Sequence, residues 1–450
     1  MSSAHRLHPH APPIPPIEDP DTNLLMHTVP EPATFLQQLF DTAVASADPE
    51  QCLAEHLPRL TNGGRTLVVG AGKGSAAMAA AVEQAWSTEL SGIVITPYGH
   101  GCACRHIEII EAAHPVPDEA GLKAATRILE LAQALKSGDQ MLCLLSGGGS
   151  ALLTLPTDGL SLHTKQKVNR QLLKSGADIA QINCVRKHLS RIKGGRLAVA
   201  AWPATTISLI ISDVAGDDPA VIASGPTCAD PTTCADALGI LSQYEVQVPA
   251  ELDARLIDGS NESPKPGALE LSRTSHRVMA SAKEALQAVN DRASQLGFEV
   301  HSLGDKVEGE SRQVGREHGQ YFRRLVQDRT SRQPLLLSSG GETTVVVKGK
   351  GHGGPNREYL LALAMELGGM PDAWAIACDT DGLDGSHDAA GAIIGPLTLT
   401  RARDLGLDPA AMLADNNAGT FFAALGDAMV TGPTRTNIND LRILAYMPES

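Results

Sequence analysis

The chain has 450 residues and a formal net charge of −14. This length suggests two or three domains, and the acidic balance argues against nucleic acid or an anionic membrane as the main partner. No apolar run approaches the roughly 18 residues of a membrane helix, and the N-terminus lacks the apolar segment of a signal peptide, so we expect a cytoplasmic protein. Aromatic residues make up only 3% of the chain while small residues are plentiful, which favours α/β layers.

Residues 1–32 form a Pro-rich arm that contains His5, His8 and His10. Proline removes backbone donors and disfavours helix, so we expect this arm to be disordered or draped over the surface, with solvated histidines. Helical periodicity begins at Thr34 and is ended by Asp48-Pro49.

The first glycine-rich loop, at residues 70–74, follows a predicted strand and precedes an alanine-rich helix with Ser75 as a candidate N-cap. It is not a P-loop, because Leu67 stands where that motif needs its first glycine. Nor is it a dinucleotide fingerprint, because Ser75 replaces the third glycine and the next strand runs into Pro97 instead of an acidic residue. What remains is Lys73, a cation that either meets a phosphate or acidic substrate or lies exposed in solvent.

The second glycine-rich loop lies in the stretch MLCLLSGGGSALL at residues 141–153. An apolar strand leads into three consecutive glycines, and a helix is predicted to begin at the serine that follows them. Glycines allow positive φ and close approach, so several N–H groups can converge on a phosphate. A tight turn closing a βα unit is the alternative. The candidate phosphate ligands are Ser146, Gly147, Gly148, Gly149 and Ser150.

Other strand ends in the first half of the chain also carry polar side chains. His114 follows a predicted strand at 107–110, where ligands of parallel sheets collect, although a turn-capping histidine fits as well. Asp213 follows a strand at 206–211 and could supply a carboxylate to Mg²⁺, whereas Asp217 and Asp218 suit a turn.

A basic segment precedes that strand. Residues 183–197 predict a helix that is stopped by Gly194 and Gly195. Its basic side chains are either solvated or form a cluster that faces a polyanionic nucleotide. They are Arg186, Lys187, Arg191, Lys193 and Arg196.

A polar segment with three prolines, at residues 246–274, predicts a domain boundary. We expect a second α/β series after it. That series starts with a strand near 276–279 and includes a strand at 335–337, which a second Ser-Gly loop with Glu342 follows.

Two later motifs add charged candidates. Arg357 stands in the first turn of an apolar helix, against the helix dipole, which suggests a task such as binding a carboxylate. A further strand ends in Asp379, Asp381 and Asp384. Their spacing does not make an EF-hand, because Ala390 stands at the place of the terminal glutamate.

These loops belong to longer segments that read, in chain order, VVGAGKGSAAMA, AAHPVPDEAG, LLSGGGSALL, RKHLSRIKGGRLA, SDVAGDDPAVIASGPT, SSGGETTV, GGPNREYLLALA and DTDGLDG. Together they resemble the type 2 glycerate kinase family, whose C-terminal part carries the MOFRL name and some of whose members are labelled hydroxypyruvate reductase. The likeness covers about residues 33–446.

The resemblance implies an ATP-dependent kinase that phosphorylates D-glycerate at its 2-hydroxyl, giving 2-phosphoglycerate and ADP. It implies a larger Rossmann-like N-terminal domain, expected at 33–260, and a smaller C-terminal α/β (MOFRL-like) domain, expected at 275–446, with the active site in the cleft between them. In such enzymes the lysine of the GAGK loop and the arginine of the PNRE segment, here Lys73 and Arg357, are catalytic or substrate-binding. The family often reads Gly-Lys-Ala where this chain has Lys73-Gly74.

Residues and resemblance together give a set of expected roles. Nucleotide phosphates are assigned to residues 146–150 and Lys193, Mg²⁺ to Asp213, and the glycerate carboxylate to Arg357. Lys73 would stabilise the transferred phosphoryl group or orient the substrate. His114, Asp379 and Asp381 would bind the substrate or, in the case of the aspartates, take the 2-hydroxyl proton.

The expected partners are small molecules, and a homo-oligomer is allowed. Two other functions remain open. One is an NAD(P)H-dependent hydroxypyruvate reductase, which the incomplete dinucleotide fingerprint disfavours. The other is a non-catalytic sensor of phosphorylated sugars.

Overall fold

A computed structural model describes residues 31–60, 63–86, 90–385 and 389–448. The expectation for the Pro-rich arm therefore falls almost entirely outside the described residues. Its last residue, Pro32, already begins the first helix, which matches the helix predicted from Thr34.

The first half of the chain builds a parallel sheet. Its strands are β1 Thr66–Ala71, β2 Ser91–Pro97, β3 Ile107–Ala112, β4 Gln140–Leu145, β5 Thr205–Ser212 and β6 Thr274–Ser281. Among the described residues they form one six-stranded sheet in the order β3-β2-β1-β4-β5-β6, and every pairing is parallel. The order reverses between β1 and β4, which is where doubly wound sheets open a ligand crevice at their carboxyl ends.

The helices of the first half of the chain are α1 Pro32–Ser46, α2 Pro49–Cys52, α3 Ser75–Ala85, α4 Glu119–Gln133, α5 Gly149–Leu152, α6 Leu162–Ser175, α7 Ile179–His188, α8 Arg196–Ala201, α9 Cys234–Gln243 and α10 Ala250–Ile257. Helices α3 and α4 lie on opposite faces of the sheet, whereas α6, α7, α9 and α10 pack on one another in a core of their own. The central strands β1 and β4 are buried at every position, because alternate side chains face opposite layers. Val68 packs in the core that contains Met78 of α3, whereas Val69 packs with Ile128 of α4.

The predicted start of α3 and the predicted end of the basic helix α7 are both wrong. Ser75 does not cap α3, because its Oγ donates to the carbonyl oxygen of Leu144 on β4 at 3.1 Å and so ties the helix to the sheet. Gly194 and Gly195 do not end the basic helix, since α7 already stops at His188. Their positive φ instead lets their amides bind the carbonyls of Ser224 and Gly225 at 3.1 and 2.8 Å.

The second half of the chain builds a mixed sheet. Its strands are β7 Glu299–Ser302, β9 Leu335–Gly341, β11 Ala373–Asp379, β12 Gly391–Ile394, β13 Ala428–Met429 and β14 Asp440–Tyr446, and a short pair is formed by β8 Gly309–Glu310 and β10 Thr343–Thr344. The described strands of the large sheet run in the order β13-β12-β11-β14-β9-β7. Only the β7–β9 pair is parallel within it. The helices are α11 Ala282–Gln295, α12 Ser311–Gln327, α13 Pro355–Leu367, α14 Thr398–Asp404, α15 Pro409–Ala414 and α16 Ala418–Leu425.

The second Ser-Gly loop is not a loop. Strand β9 continues through Gly341 and pairs with β14 along its whole length, from Leu335 opposite Tyr446 to Gly341 opposite Asp440. The partner strand lies about a hundred residues further along the chain, so local sequence gave no sign that the serines and glycines were paired.

One strand that was expected in the second half belongs to the first sheet. The strand expected to open the second series is β6, and it pairs with β5 at the edge of the first sheet. In the other direction α1 packs on α11, where the rings of Phe35 and Phe298 stack with their centroids 4.8 Å apart. We therefore propose that the first domain extends through Ser281 and that α1 joins the two sheets. Within the described residues, every helix is too short or too polar to cross a membrane.

Candidate active site

The carboxyl ends of the first sheet face loops of the second sheet across one cavity of about 570 Å³. Other cavities of the molecule are of similar volume or larger, so chemistry rather than size distinguishes this one. The first sheet contributes Lys73, Pro97, Tyr98, His100, Ala113, His114, Pro115, Gly148 and Asp213, and the second sheet contributes Glu342, Pro355, Asp379, Asp381, Leu383, Asp384, Gly385, Asn437, Asn439 and Asp440. Among the described lining residues, Lys73 is therefore the single lysine or arginine among six carboxylates.

Hydrogen bonds hold both the backbone and the side chain of Lys73. Its backbone N–H donates to the carbonyl of Gly147 at 2.8 Å, and its Nζ donates to Asp381 Oδ2 at 2.5 Å. Burial lowers the pKa of this lysine, but the negative charges of Asp379, Asp381 and Asp213 outweigh burial, so the pKa is raised above its usual value. Lys73 is therefore a permanent cation that belongs to the first sheet and pairs with the second.

The glycine loop between β4 and α5 is shaped by close contacts. A Cβ on Gly147 would lie 2.0 Å from Asn437 Nδ2, and one on Gly148, whose φ is +81°, would lie 2.9 Å from His114 Nε2. Within the described residues, the amides of Gly147 and Gly148 have no hydrogen-bond acceptor. The middle of the loop can thus offer N–H groups to a ligand.

The two serines that flank the glycines do not line the cavity. Ser146 is fully buried, and its Oγ accepts a hydrogen bond from the amide of Gly74 at 2.9 Å, which joins the two glycine-rich loops. The Oγ of Ser150 lies 2.8 Å from that of Ser224. Gly149 begins α5, a helix of only four residues. Of the five residues expected to bind phosphate, Gly148 alone is among those that line the cavity, and the two serines bind other parts of the protein.

The acidic loop after β11 is held by its own backbone. Asp379 Oδ1 accepts from the amide of Asp381 at 3.0 Å, and Asp381 Oδ1 accepts from the amide of Leu383 at 2.7 Å. Burial, and then the negative charge of Asp381, raise the pKa of Asp379 well above its usual value. Asp379 therefore keeps its proton to a higher pH than an ordinary aspartate does.

Asp213 lies at the end of β5 and is held by the second sheet. Its Oδ2 accepts from Asn437 Nδ2 at 3.0 Å, and its carbonyl oxygen accepts from Asn439 Nδ2 at 2.6 Å. Burial raises the pKa of Asp213, and the charge of Lys73 opposes this. The two asparagines directly precede β14. Polar residues at this place in the sequence are typical of an ordinary turn, so no sequence signal indicated that they bind Asp213.

Two histidines stand beside Lys73. Burial, and then the positive charge of Lys73, lower the pKa of His114 to about 4. His100, which the sequence analysis did not single out, is buried and has a lowered pKa, mainly because of burial. Both imidazoles are therefore neutral near pH 7 and can donate or accept a hydrogen bond.

The structure contradicts the expected position of Arg357. Its guanidinium is buried and does not line the cavity: Nε donates to Asp384 Oδ2 and Nη2 to the carbonyl of Asp384, each at 2.8 Å. The Asp384 carboxylate also accepts from the amides of Asn356 and Arg357 at 2.9 and 3.1 Å, so it caps the N-terminus of α13. Arg357 does bind a carboxylate, as its place in the first turn suggested, but that carboxylate belongs to the protein.

The basic segment is not gathered at the cavity either. Lys187 lies 3.4 Å from Asp230, Arg191 lies 3.3 Å from Asp158, and Arg196 donates to the carbonyl oxygens of Lys187 and Asn261. Lys193 is buried behind the glycine loop, with Nζ donating to the carbonyl of Ala223 at 3.3 Å.

The donor set of the cavity fits a divalent cation of the Mg²⁺ type, because it offers hard oxygen ligands in Asp213, Glu342 and Asp379. The part of the chain that the structure describes contains one preassembled trio of potential ligand atoms, in His188, Cys234 and Glu262, and it lies outside the cavity. Mg²⁺ needs only one or two carboxylates when phosphate oxygens complete its shell.

Each half of the chain matches the model of a known protein family. Residues 35–257 match a domain of unknown function (DUF4147), and residues 335–440 match the MOFRL family. The D-glycerate 2-kinase of Thermotoga maritima is 37% identical over 409 residues, which are 90% of this chain and 96% of that protein. A crystal structure of glycerate kinase from the same organism has a TM-score of 0.82 at 37% identity and covers 92% of this chain and 98% of that one.

A protein of Agrobacterium vitis is 49% identical over 413 residues, 91% of this chain and 93% of its own length, and it is provisionally named a hydroxypyruvate reductase. The fold and these relatives define an α/β kinase with a MOFRL domain. The chain belongs to the type 2 glycerate kinase, or glycerate 2-kinase, family.

Proposed function

We propose that this protein transfers the terminal phosphoryl group of ATP to the 2-hydroxyl of D-glycerate, giving 2-phosphoglycerate and ADP. Besides the kinship, the single observation that carries the proposal is the position of Lys73, a cation between a glycine loop with unpaired amides and an acidic loop. Phosphoryl transfer depends mainly on positioning and charge neutralisation, and this arrangement supplies both.

The residues have distinct roles in this proposal. The amides of Gly147 and Gly148 bind the terminal phosphate, and Lys73 neutralises the charge that develops during transfer. Asp379 accepts the proton of the 2-hydroxyl, since its raised pKa makes it the stronger base. Asp381 holds Lys73 in place, and the neutral His114 hydrogen-bonds the substrate.

A divalent cation belongs to the proposal, because Asp384 and Asp440 are paired with arginines while the other four carboxylates of the cavity face Lys73 alone, and this excess of negative charge would repel ATP. Asp213 and Glu342 would hold the ion. When bound, the ion supplies positive charge to the phosphate oxygens. We also propose a cytoplasmic enzyme, as the sequence suggested.

Phosphorus NMR of the product formed from D-glycerate, ATP and Mg²⁺ tests the proposal, because it separates the 2-phosphate from the 3-phosphate. We expect the 2-phosphate alone. Lys73→Ala should lower kcat/KM by at least about a hundredfold, the effect of losing one preorganised charge, whereas Lys123→Ala, an exposed lysine on α4, should leave it unchanged. Formation of the 3-phosphate, or full activity of Lys73→Ala, would overturn the assignment.

The name of the Agrobacterium relative favours a second candidate, hydroxypyruvate reduction with NADH. Steady oxidation of NADH by hydroxypyruvate, without ATP, would replace the kinase proposal. A sensor of phosphorylated sugars would instead bind its ligand tightly and release no ADP from ATP and D-glycerate.

A further inference from the structure

Three basic side chains lie close together behind the glycine loop. Lys165 on α6 and Lys193 after α7 are 2% and 1% exposed, and Arg186 on α7 is partly exposed. In the described part of the chain, the Nζ of Lys165 has no hydrogen-bond partner, and the Nζ of Lys193 donates only to the carbonyl of Ala223.

No negative charge balances these cations among the described residues. The neighbouring Lys187 pairs with Asp230, whereas the charges that act on Lys193 are the positive ones of Lys165 and Arg186. Burial, and then the charge of Arg186, lower the pKa of Lys165 to about 7. Burial of several basic side chains without a counterion destabilises a folded protein unless an anion binds beside them.

The cluster is continuous with the glycine loop. Ser224 Oγ lies 2.8 Å from Ser150 Oγ and donates to Asn183 Oδ1, one turn before Arg186 on α7, at 3.1 Å. Ala223, whose carbonyl binds Lys193, lies against the other side of the loop, where its Cβ would be 2.8 Å from a Cβ on Gly149. One face of the loop therefore meets Lys73 and the cavity, and the other face meets Ala223 and Ser224, which connect it to Lys193 and to α7.

We propose that Lys165, Arg186 and Lys193 bind the phosphate groups of the nucleotide that are not transferred. The inference rests on the proposed function for the identity of the polyanion. The two buried amines and the partly open guanidinium suit a chain of phosphates, because an anion of several charges favours the protonated form of both lysines and neutralises all three groups at once. This proposal agrees with the phosphate-binding role that the sequence suggested for Lys193, and it extends that role to Lys165 and Arg186.

Calorimetric titration with ADP tests the site in Lys165→Met, Arg186→Met and Lys193→Met. We expect each variant to bind ADP at least about tenfold more weakly, since a charge-assisted hydrogen bond is lost. The control is Lys167→Met, which removes an exposed lysine two residues from Lys165 on the same helix and should not change the affinity. In turnover, the KM for ATP should rise while the KM for D-glycerate stays constant.

The melting temperature of the ligand-free protein separates binding from a structural role. Removal of a buried lysine without a partner should leave Tm unchanged or raise it. Wild-type affinity for ADP in all three variants would overturn the proposal, and so would weaker binding together with a lower ligand-free Tm.

If the wild-type protein neither turns over D-glycerate nor binds ADP, the proposed function fails instead. Tripolyphosphate is then the probe. Its binding by the wild type and not by Lys165→Met would assign the cluster to another polyanion and overturn the nucleotide assignment.

Discussion

Lys73 is the side chain on which the charge balance of the cavity depends. Its backbone is bound to the glycine loop of the first sheet, and its Nζ is bound to Asp381 of the second. Because the surrounding carboxylates raise its pKa, no change of pH in the physiological range removes the charge. A single cation is thereby held where a phosphoryl group and a hydroxy acid can both reach it.

Asp379 gives a pH-dependent prediction. Burial and the charge of Asp381 raise its pKa above the usual 3.8. An acid with a raised folded-state pKa stabilises the folded protein while it is protonated, and this stability is lost as the pH rises through the folded-state pKa. We therefore expect Asp379→Asn to gain Tm relative to wild type as the pH rises above about 4, measured by thermal unfolding without divalent cations.

The same variant should lose at least about a hundredfold in kcat, because its amide cannot accept the hydroxyl proton. Asp404→Asn is the matched control, since that aspartate is exposed at the end of α14. A Tm difference independent of pH would show that Asp379 has an ordinary pKa, and undiminished turnover would remove it as the base.

Arg357 gives a different prediction, because it pairs with Asp384 and does not line the cavity. Its ion pair with Asp384 is buried, and breaking such a pair costs about 3 to 5 kcal/mol. Arg357→Ala and Asp384→Asn should each lower stability and kcat, and the double variant should lose much less than the sum of the two. Denaturant unfolding and steady-state kinetics of the four proteins measure this coupling. Additive effects, with a KM for glycerate raised by Arg357→Ala alone, would indicate direct substrate binding.

At the scale of elements, the two glycine-rich loops form one unit. A Cβ on Gly72 would lie 2.1 Å from Ser146 Oγ, and the amide of Gly74 donates to the same oxygen. Each loop follows one of the two strands at which the order of the first sheet reverses. The tight contact between the loops brings Lys73 and the amides of Gly147 and Gly148 to one place.

The glycine loop can be tested with a matched pair of substitutions. Gly148 and Gly138 both have positive φ, but a Cβ on Gly148 meets His114, whereas one on Gly138 meets nothing within 4 Å. Gly148→Ala and Gly138→Ala should therefore carry a similar backbone penalty of about 1 to 2 kcal/mol. Only Gly148→Ala should raise the KM for ATP in steady-state assays. Equal KM values in the two variants would argue that the loop does not bind the nucleotide.

At the scale of the whole molecule, the cavity of the candidate site is lined by both sheets, and several contacts hold the sheets together. Asn437 and Asn439 of the second half bind Asp213 of the first, and Thr436 Oγ1 donates to the carbonyl of Ala47 at 2.8 Å. Helix α1 adds apolar contacts, since Phe35 and its neighbours share one core with residues of both sheets.

Phe35 provides a measure of this attachment. The ring is fully buried and stacks on Phe298, and removal of such a ring costs about 3 to 5 kcal/mol. Phe35→Ala should therefore lower the free energy of unfolding by that amount, whereas Gln38→Ala, on the exposed side of the same helix, should change it by less than about 0.5 kcal/mol. Equal stability of the two variants would show that α1 contributes little to the attachment of the two sheets.

Much of the fold was predictable because its signals are local. Apolar runs located β1 and β4, periodicity located α1, and the glycines of 146–150 correctly suggested a loop built by close approach. The predictions failed where the partner was distant in sequence. The pairing of β6 with the first sheet and of Gly341 with Asp440 depends on contacts that no local pattern encodes.

By itself the sequence determined the α/β class, the family and several of the loops that line the candidate site, since these follow from apolar patterning and from motifs of a few residues. Only the tertiary structure decided which side chains share the cavity. In the structure, Lys73 pairs with Asp381 and Arg357 pairs with Asp384. Among the described residues, no counterion lies beside Lys165, Arg186 and Lys193. The reason is physical: the energy of a charge depends on its burial and on its neighbours in space, and neither is a property of the local sequence.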